Sequence, residues 1–114
     1  MAVAPNRSDG MFEGFVALAT TTFNVFLQVK NSSGTPSTPD AAPSYRIYGP
    51  AGGTALLTGT FSASDTDSQT GWRASGNIAI TTANGFAAGS TYRVRKAWAV
   101  SSTNYVEDSS FTVV

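Results

Sequence analysis

Residues 22–30 of the chain read TFNVFLQVK, and their alternation decides the fold class. Apolar side chains occupy every second position from Phe23 to Val29, while polar residues occupy most positions between them. Because side chains along a β-strand point alternately to opposite faces, this period of two predicts a half-buried strand. Phe26 interrupts the polar face, and we interpret it as a local packing residue or a subunit contact.

A second strong alternation covers residues 90–100, where Tyr92, Val94, Trp98 and Val100 share one parity. This pattern predicts a strand with those four side chains directed inward, Trp98 included. Lys96 has the same parity. Either a bulge shifts the register there, or Lys96 lies at an end of the fold where its amine reaches water.

Several shorter segments between Gly-, Pro- and Asn-rich turns have strand character. They are residues 11–19 with Gly14 as a bulge, 45–48, 54–61 with Leu56 or Leu57 inward, 72–80, and 104–114 with Phe111 and Val113 inward. About seven strands with turns every ~8–12 residues are typical of an all-β sandwich, although a small barrel fits the same count. The short connections favour antiparallel pairing.

Composition excludes several classes of function. The 114 residues suffice for one domain, and they include no cysteine and no histidine. The Ser–His and Cys–His pairs that serve nucleophilic catalysis are therefore impossible, and thiolate or imidazole metal sites are absent from the sequence. We predict a protein that is not an enzyme and that binds no cofactor.

The charge pattern points to protein partners. Seven basic residues balance seven acidic ones, so the chain lacks the basic excess of a nucleic-acid binder. Charged residues make up only 12% of the chain, and a weakly charged surface of zero net charge favours association. No apolar run is long enough to cross a membrane, and residues 1–10 do not have the pattern of a signal peptide. The missing cysteines favour assembly in a reducing compartment.

The order of turns and aromatic residues resembles one family of domains. The segments that carry the resemblance are Phe26–Lys30 followed by Asn31–Pro36, then Pro43–Tyr48, Thr70–Trp72 and Phe86–Val94. Together they resemble the small immunoglobulin-like domains of tailed-bacteriophage virion proteins. The resemblance covers residues 22–114. It implies a sandwich in which Tyr92 acts as a corner tyrosine, with its ring in the core and its hydroxyl bonded to the backbone.

For a chain of this length, the resemblance implies a non-enzymatic structural protein that decorates or cements the outside of a phage capsid. Its partner would be the major capsid protein or another virion protein, and it would bind either singly or as a homo-oligomer. Its location would be the virion, after assembly in the host cytoplasm. The alternative is a tail-associated or adhesin-type module that binds a receptor or a carbohydrate, with exposed rings among Tyr45, Tyr48, Trp72 and Tyr105.

We divide the chain into an N-terminal arm with a first strand, residues 1–20, and an immunoglobulin-like sandwich, residues 21–114. The arm and the exposed strand edges are predicted to make the partner contacts. Arginine is enriched at interfaces, and Arg93 and Arg95 stand on one strand face with Lys96 beside them. The predicted contact residues are Pro5, Arg7, Phe12, Arg93 and Arg95.

Two acidic clusters are weak candidates for chemistry. Asp65 and Asp67 alternate like calcium ligands, but the glycine and the final acidic residue of an EF-hand loop are absent. A polar hairpin turn explains them better. Glu107 and Asp108 are the only adjacent acidic pair, and we interpret them as charges on an exposed strand edge.

Overall fold

Two facing β-sheets make up the described part of the protein. The computed structural model describes residues 12–63 and 72–114. Their strands are Phe12–Val16 (β1), Phe26–Gln28 (β2), Ser44–Tyr48 (β3), Leu57–Thr60 (β4), Ser62–Ala63 (β5), Trp72–Ala74 (β6), Thr91–Val100 (β7) and Thr103–Val113 (β8). The helical content of these residues is a single 3-10 turn, Thr82–Asn84, so none of their helices could cross a membrane. The prediction of an all-β fold is confirmed.

The larger sheet has five strands in the order β1-β8-β7-β3-β4, and the smaller has three in the order β2-β6-β5. Neighbours pair antiparallel with one exception, because β1 runs parallel to β8. The prediction of a wholly antiparallel fold is therefore wrong, and the larger sheet is mixed. Short connections constrain only strands that follow one another in the chain, whereas β1 and β8 come from its opposite ends.

The core lies between the two sheets and is almost entirely apolar. The larger sheet contributes Val16, Tyr45, Ile47, Tyr92, Val94, Phe111 and Val113; the smaller sheet and the segments beside it contribute Val25, Leu27, Val29, Phe61, Ile78, Ile80 and Phe86. The alternation in residues 22–30 thus predicts the buried face correctly. The regular strand is shorter, Phe26–Gln28, and single bridges at Phe23 and Lys30 flank it.

The strand predicted over residues 72–80 is also shorter, since β6 ends at Ala74. Gly76 adopts a left-handed backbone with φ of 74°, which interrupts the extended chain. Extended structure resumes at Ile78, which forms a bridge with Phe23. The prediction of inward leucines holds for both Leu56 and Leu57, which are half-buried and pack against the core.

The hairpin of β7 and β8 is the longest pairing in the fold, with ten consecutive residue pairs and no shift in register. Its two-residue turn, Ser101–Ser102, has positive φ at both positions, a geometry that usually selects Asn or Gly. Here the Asp40 carboxylate stabilises the turn, because it accepts hydrogen bonds from the backbone N–H groups of Ser101 (3.0 Å) and Ser102 (2.8 Å).

Tyr92 has the geometry predicted for a corner tyrosine. Its ring is buried and packs edge-on against Phe86 and nearly parallel to Phe111. Its hydroxyl oxygen accepts a hydrogen bond from the Ala87 backbone N–H at 2.7 Å. One side chain thereby holds the connection before β7 against the start of that strand.

Replacing Tyr92 with Phe tests this bond. The ring packing is kept, but the partly buried Ala87 N–H loses its acceptor, so we expect a loss of about 1–2 kcal/mol in the free energy of unfolding. Urea denaturation followed by tryptophan fluorescence measures it. Tyr48→Phe is the matched control and should change stability by less than about 0.5 kcal/mol, because Tyr48 is only half-buried. Equal stability of Tyr92→Phe and the parent protein would contradict a stabilising hydroxyl.

Candidate functional site

The alternation along β7 gives the larger sheet an inner face toward the core and an outer face toward solvent. Arg93 and Arg95 point outward and are exposed. Register brings Arg46 of β3 opposite Arg95, and Tyr48 opposite Arg93. We call the outward side chains of β3, β7 and β8 the outer face. It is the surface on which the basic residues of the described chain are most closely grouped.

Arg95 is held in place by Asp108 of β8. Its Nε donates to Oδ1 at 3.1 Å and its Nη2 donates to Oδ2 at 3.2 Å, so the two cross-strand partners form a bidentate contact. The hydrogen bonds from Arg95 lower the pKa of the Asp108 carboxyl below its ordinary value, against a smaller opposing effect of burial. Both side chains are more than a third exposed, so solvent screens their attraction.

Arg93 is fixed by a different interaction. Its guanidinium carbon lies 4.8 Å from the centre of the Tyr48 ring, within the range of a cation–π contact. Arg46, Arg93 and Arg95 lie side by side on the outer face, and we call them the basic row. A shallow pocket next to the basic row is lined by Ser44, Arg46, Arg95, Ala97 and Val106. Val106 is 60% exposed, so the outer face combines ordered cations with an apolar side chain.

Among the described side chains, the most exposed aromatic rings lie on β1, an edge strand of the larger sheet. Phe12 is 41% exposed and Phe15 is 70% exposed, and their rings pack edge-to-face with centres 5.0 Å apart. Both residues share a face because the pairing with β8 shifts between them, where Gly14 takes a φ of 115°. We call these two rings the phenylalanine pair.

The structure places the predicted contact residues in two groups. Phe12, Arg93 and Arg95 are exposed on the larger sheet, whereas Pro5 and Arg7 lie outside the described residues. Phe15 was predicted to be part of an apolar strand, and its exposure follows from the bulge at Gly14. Arg46 was missed as a member of the basic row, because its position beside Arg95 depends on the register of β3 against β7.

Lys96 does not belong to the basic row. It lies in the middle of an unbroken β7 with its side chain fully buried, so both predictions for it, a bulge or a position at the end of the fold, are wrong. The reason is a buried carboxylate, since Lys96 Nζ donates to Glu13 Oε2. Nζ also donates to the Phe26 carbonyl oxygen at 2.7 Å, and the Ser109 hydroxyl donates to Glu13 Oε2 at 2.6 Å.

The prediction that the acidic pair is exposed is wrong. Glu107 and Asp108 are half-buried in β8, in the stretch that precedes its pairing with β1. Asp108 points outward to Arg95, and Glu107 stands opposite Lys96 in the register. Within residues 12–63 and 72–114, no three acidic side chains come together in a way that could hold a metal ion. Asp65 and Asp67 lie outside those ranges.

Trp98 is half-buried, less than predicted, and packs against the edge of the core. Its indole N–H donates to the Lys30 carbonyl oxygen at 2.9 Å, and its ring stacks on Tyr105. The indole N–H is thus hydrogen-bonded at the margin of the core, with the ring left partly exposed.

The chain matches no protein-family model, and neither a curated protein nor a solved structure is significantly similar to it.

The pKa of Asp108 predicts how acid affects the Arg95 contact. A carboxyl whose pKa is lowered by folding stabilises the folded state above its unfolded pKa, and this stabilisation disappears as the pH falls through the folded pKa. Asp108→Asn should therefore be less stable than the parent protein at pH 7 and equally stable in strong acid. Urea midpoints at both pH values measure this. In an Arg95→Gln background the substitution should have little effect, and a difference that persists in strong acid would contradict the assignment.

Proposed function

We propose that the chain is a non-catalytic, immunoglobulin-like binding module that attaches to the outside of a bacteriophage capsid as a decoration protein. The observation that carries the binding function is the phenylalanine pair, exposed at the edge of the larger sheet. The assignment to a capsid rests on the sequence resemblance to phage virion domains. Attachment would place the edge strand β1 and the outer face against the shell.

The strand order supports the immunoglobulin-like part of the proposal. In variable-type immunoglobulin domains, strands G, F and C form one sheet with C′ beside C, and strands B, E and D lie in the other. The order β8-β7-β3-β4 matches the first arrangement, and β2-β6-β5 matches the second. The Tyr92 hydrogen bond at the start of β7 corresponds to the tyrosine corner of strand F. The chain departs from antibody domains in having no disulfide.

The exposed edge supports binding through β1. Among the described residues, β1 has a strand partner on one side, β8, so its other side can accept another strand. Soluble proteins usually protect such edges with charge or proline, yet β1 presents two phenylalanine rings there. An apolar pair beside unpaired backbone groups fits a partner that adds a strand or covers the rings.

The outer face adds polar specificity to this apolar contact. The contacts with Asp108 and Tyr48 order two of its three arginines before any partner arrives. Ordered side chains lose less conformational entropy on binding. Arginine beside exposed apolar residues such as Val106 is a composition typical of interface cores, where arginine is enriched and lysine is depleted.

Receptor or carbohydrate binding, the alternative function, receives less support. It needs free aromatic faces on which a sugar can stack. Tyr45 is buried, Tyr48 is covered by Arg93, and Tyr105 stacks on Trp98. The side chain of Trp72 lies outside the described part of the chain.

Quantitative mass spectrometry of purified particles from the source tests the capsid assignment. A decoration protein should be present in copies comparable in number to the major shell protein. A handful of copies per particle would instead place the chain in the tail or a fibre. Absence from particles would exclude a virion role and leave a cellular adhesion module.

A substitution in the phenylalanine pair tests the proposed contact surface. Phe15→Ser removes the more exposed ring, so stability should change by less than about 0.5 kcal/mol while capsid attachment weakens at least about tenfold. Co-sedimentation with capsids that lack the protein measures attachment, and thermal melting measures stability. Thr58→Ala, an exposed change on the opposite edge strand, is the matched control. Full attachment of Phe15→Ser would exclude the pair from the interface.

A further inference from the structure

We propose that Lys96 and Glu13 form an intramolecular isopeptide bond, which covalently joins β7 to the edge strand β1. The product is a secondary amide between Lys96 Nζ and Glu13 Cδ. The folded chain itself supplies every group that the reaction needs. The proposal is independent of capsid attachment and would hold for any function of the fold.

The first argument is placement. Both side chains have zero exposure, and the amine contacts the carboxylate directly although 83 positions separate the residues in sequence. An amine in contact with a carboxylate oxygen is also next to the carboxyl carbon that it would attack. Intramolecular reactants held in this way reach effective concentrations of about 10⁵ M or more, which favours amide formation over the separated amine and acid.

The second argument is the neighbouring polar groups, which suit an amide as well as an ion pair. Ser109 donates a hydrogen bond to Glu13 Oε2, the oxygen that remains as the amide carbonyl. The Phe26 carbonyl accepts a hydrogen bond from Lys96 Nζ and would keep accepting one from the amide N–H. Both partners of the product are therefore in place before the bond forms.

The third argument is a second carboxylate. Glu107 is the cross-strand partner of Lys96, on the same inner face of the hairpin. Side chains in directly opposite positions of adjacent antiparallel strands are within reach of one another. Glu107 is thus placed to take a proton from the attacking amine and to pass it to the departing oxygen, a general acid–base role.

The reaction balances without any co-reactant. A proton moves from the Lys96 ammonium to Glu13, which leaves a neutral amine and a neutral carboxylic acid. The amine lone pair attacks Cδ, the Nζ–Cδ bond forms, and Glu107 accepts a proton from nitrogen. The Cδ–Oε1 bond then breaks as Glu107 returns that proton, and Oε1 leaves as water. Nothing is oxidised or reduced.

Burial gives the reaction a driving force. Two ionised groups removed from water carry a large desolvation cost, which their mutual attraction only partly offsets. A hydrogen-bonded amide in the same place carries no net charge and a much smaller cost. The bond would also close a long loop between residues 13 and 96, and cross-links that close long loops restrict the unfolded chain most. The sequence has no cysteine with which to do this by a disulfide.

The intact mass of the purified, folded protein tests the proposal. We expect it to be lower than the sequence mass by one water molecule, with a proteolytic fragment that contains Glu13 and Lys96 joined side chain to side chain. Trypsin should fail to cleave after Lys96. A folded protein with the full sequence mass and a free Lys96 amine would overturn the proposal, as would a water loss that maps to other residues.

The chain offers a matched control, because Lys30 and Lys96 are its only lysines. Lys30→Met should keep the water loss, whereas Lys96→Met should abolish it. If Lys96→Met fails to fold, acetylation of the parent protein in denaturant gives the same answer. We expect acetyl groups on Lys30 and none on Lys96, and equal acetylation of both lysines would overturn the bond.

Discussion

The fold depends on the buried contact between Lys96 and Glu13. Lys96 projects from the centre of the larger sheet into a core that is apolar apart from Glu13 and Ser109 among the described residues, and an unpaired charge there would cost several kcal/mol. Glu13 neutralises that charge and brings β1 to the edge of the sheet; Phe26, on the smaller sheet, accepts the second hydrogen bond. A single side chain therefore connects both sheets and fixes where the first strand lies. Ser109 of β8 donates a hydrogen bond to the same carboxylate oxygen, which adds a buried contact between β1 and β8.

The contact between Lys96 and Glu13 could not be predicted from the sequence, whereas several strands could. The strands around residues 22–30, 90–100 and 104–114 follow from their alternation, because a two-residue period in burial is a local property. The hydrogen bond of Tyr92 is equally local, as its acceptor oxygen and the Ala87 donor are five positions apart. Lys96 is a charged residue at a position where the alternation of β7 calls for an apolar one. It is buried there because it contacts Glu13, which is 83 positions away in the sequence. A local pattern identifies the anomaly but not its partner.

The same limit applies to the first strand. The apolar run over residues 11–19 predicts a strand with a bulge at Gly14, but it does not show that the buried residues of β1 are Glu13 and Val16. The bulge at Gly14 puts both rings on the solvent side, and the parallel pairing with β8 joins the two ends of the chain. Gly14 predicts the bulge, but the parallel pairing leaves no periodic signal in the sequence. The candidate binding surface was consequently predicted in part: Phe12, Arg93 and Arg95 from the sequence, and Phe15 and Arg46 only from the fold.

Strand β1 buries Glu13 and exposes the phenylalanine pair, so different side chains of one strand serve folding and the proposed binding. Glu13 holds β1 on the sheet from inside, so the outward side chains of β1 contribute little to folding. These side chains can be apolar without loss of core packing. The buried contacts of Glu13 keep β1 on the sheet even though its rings are exposed. Free monomers bearing such an edge tend to associate, all the more when net charge is zero and charged residues are few. The composition and the exposed edge are therefore consistent with each other under the proposal that a partner covers this surface.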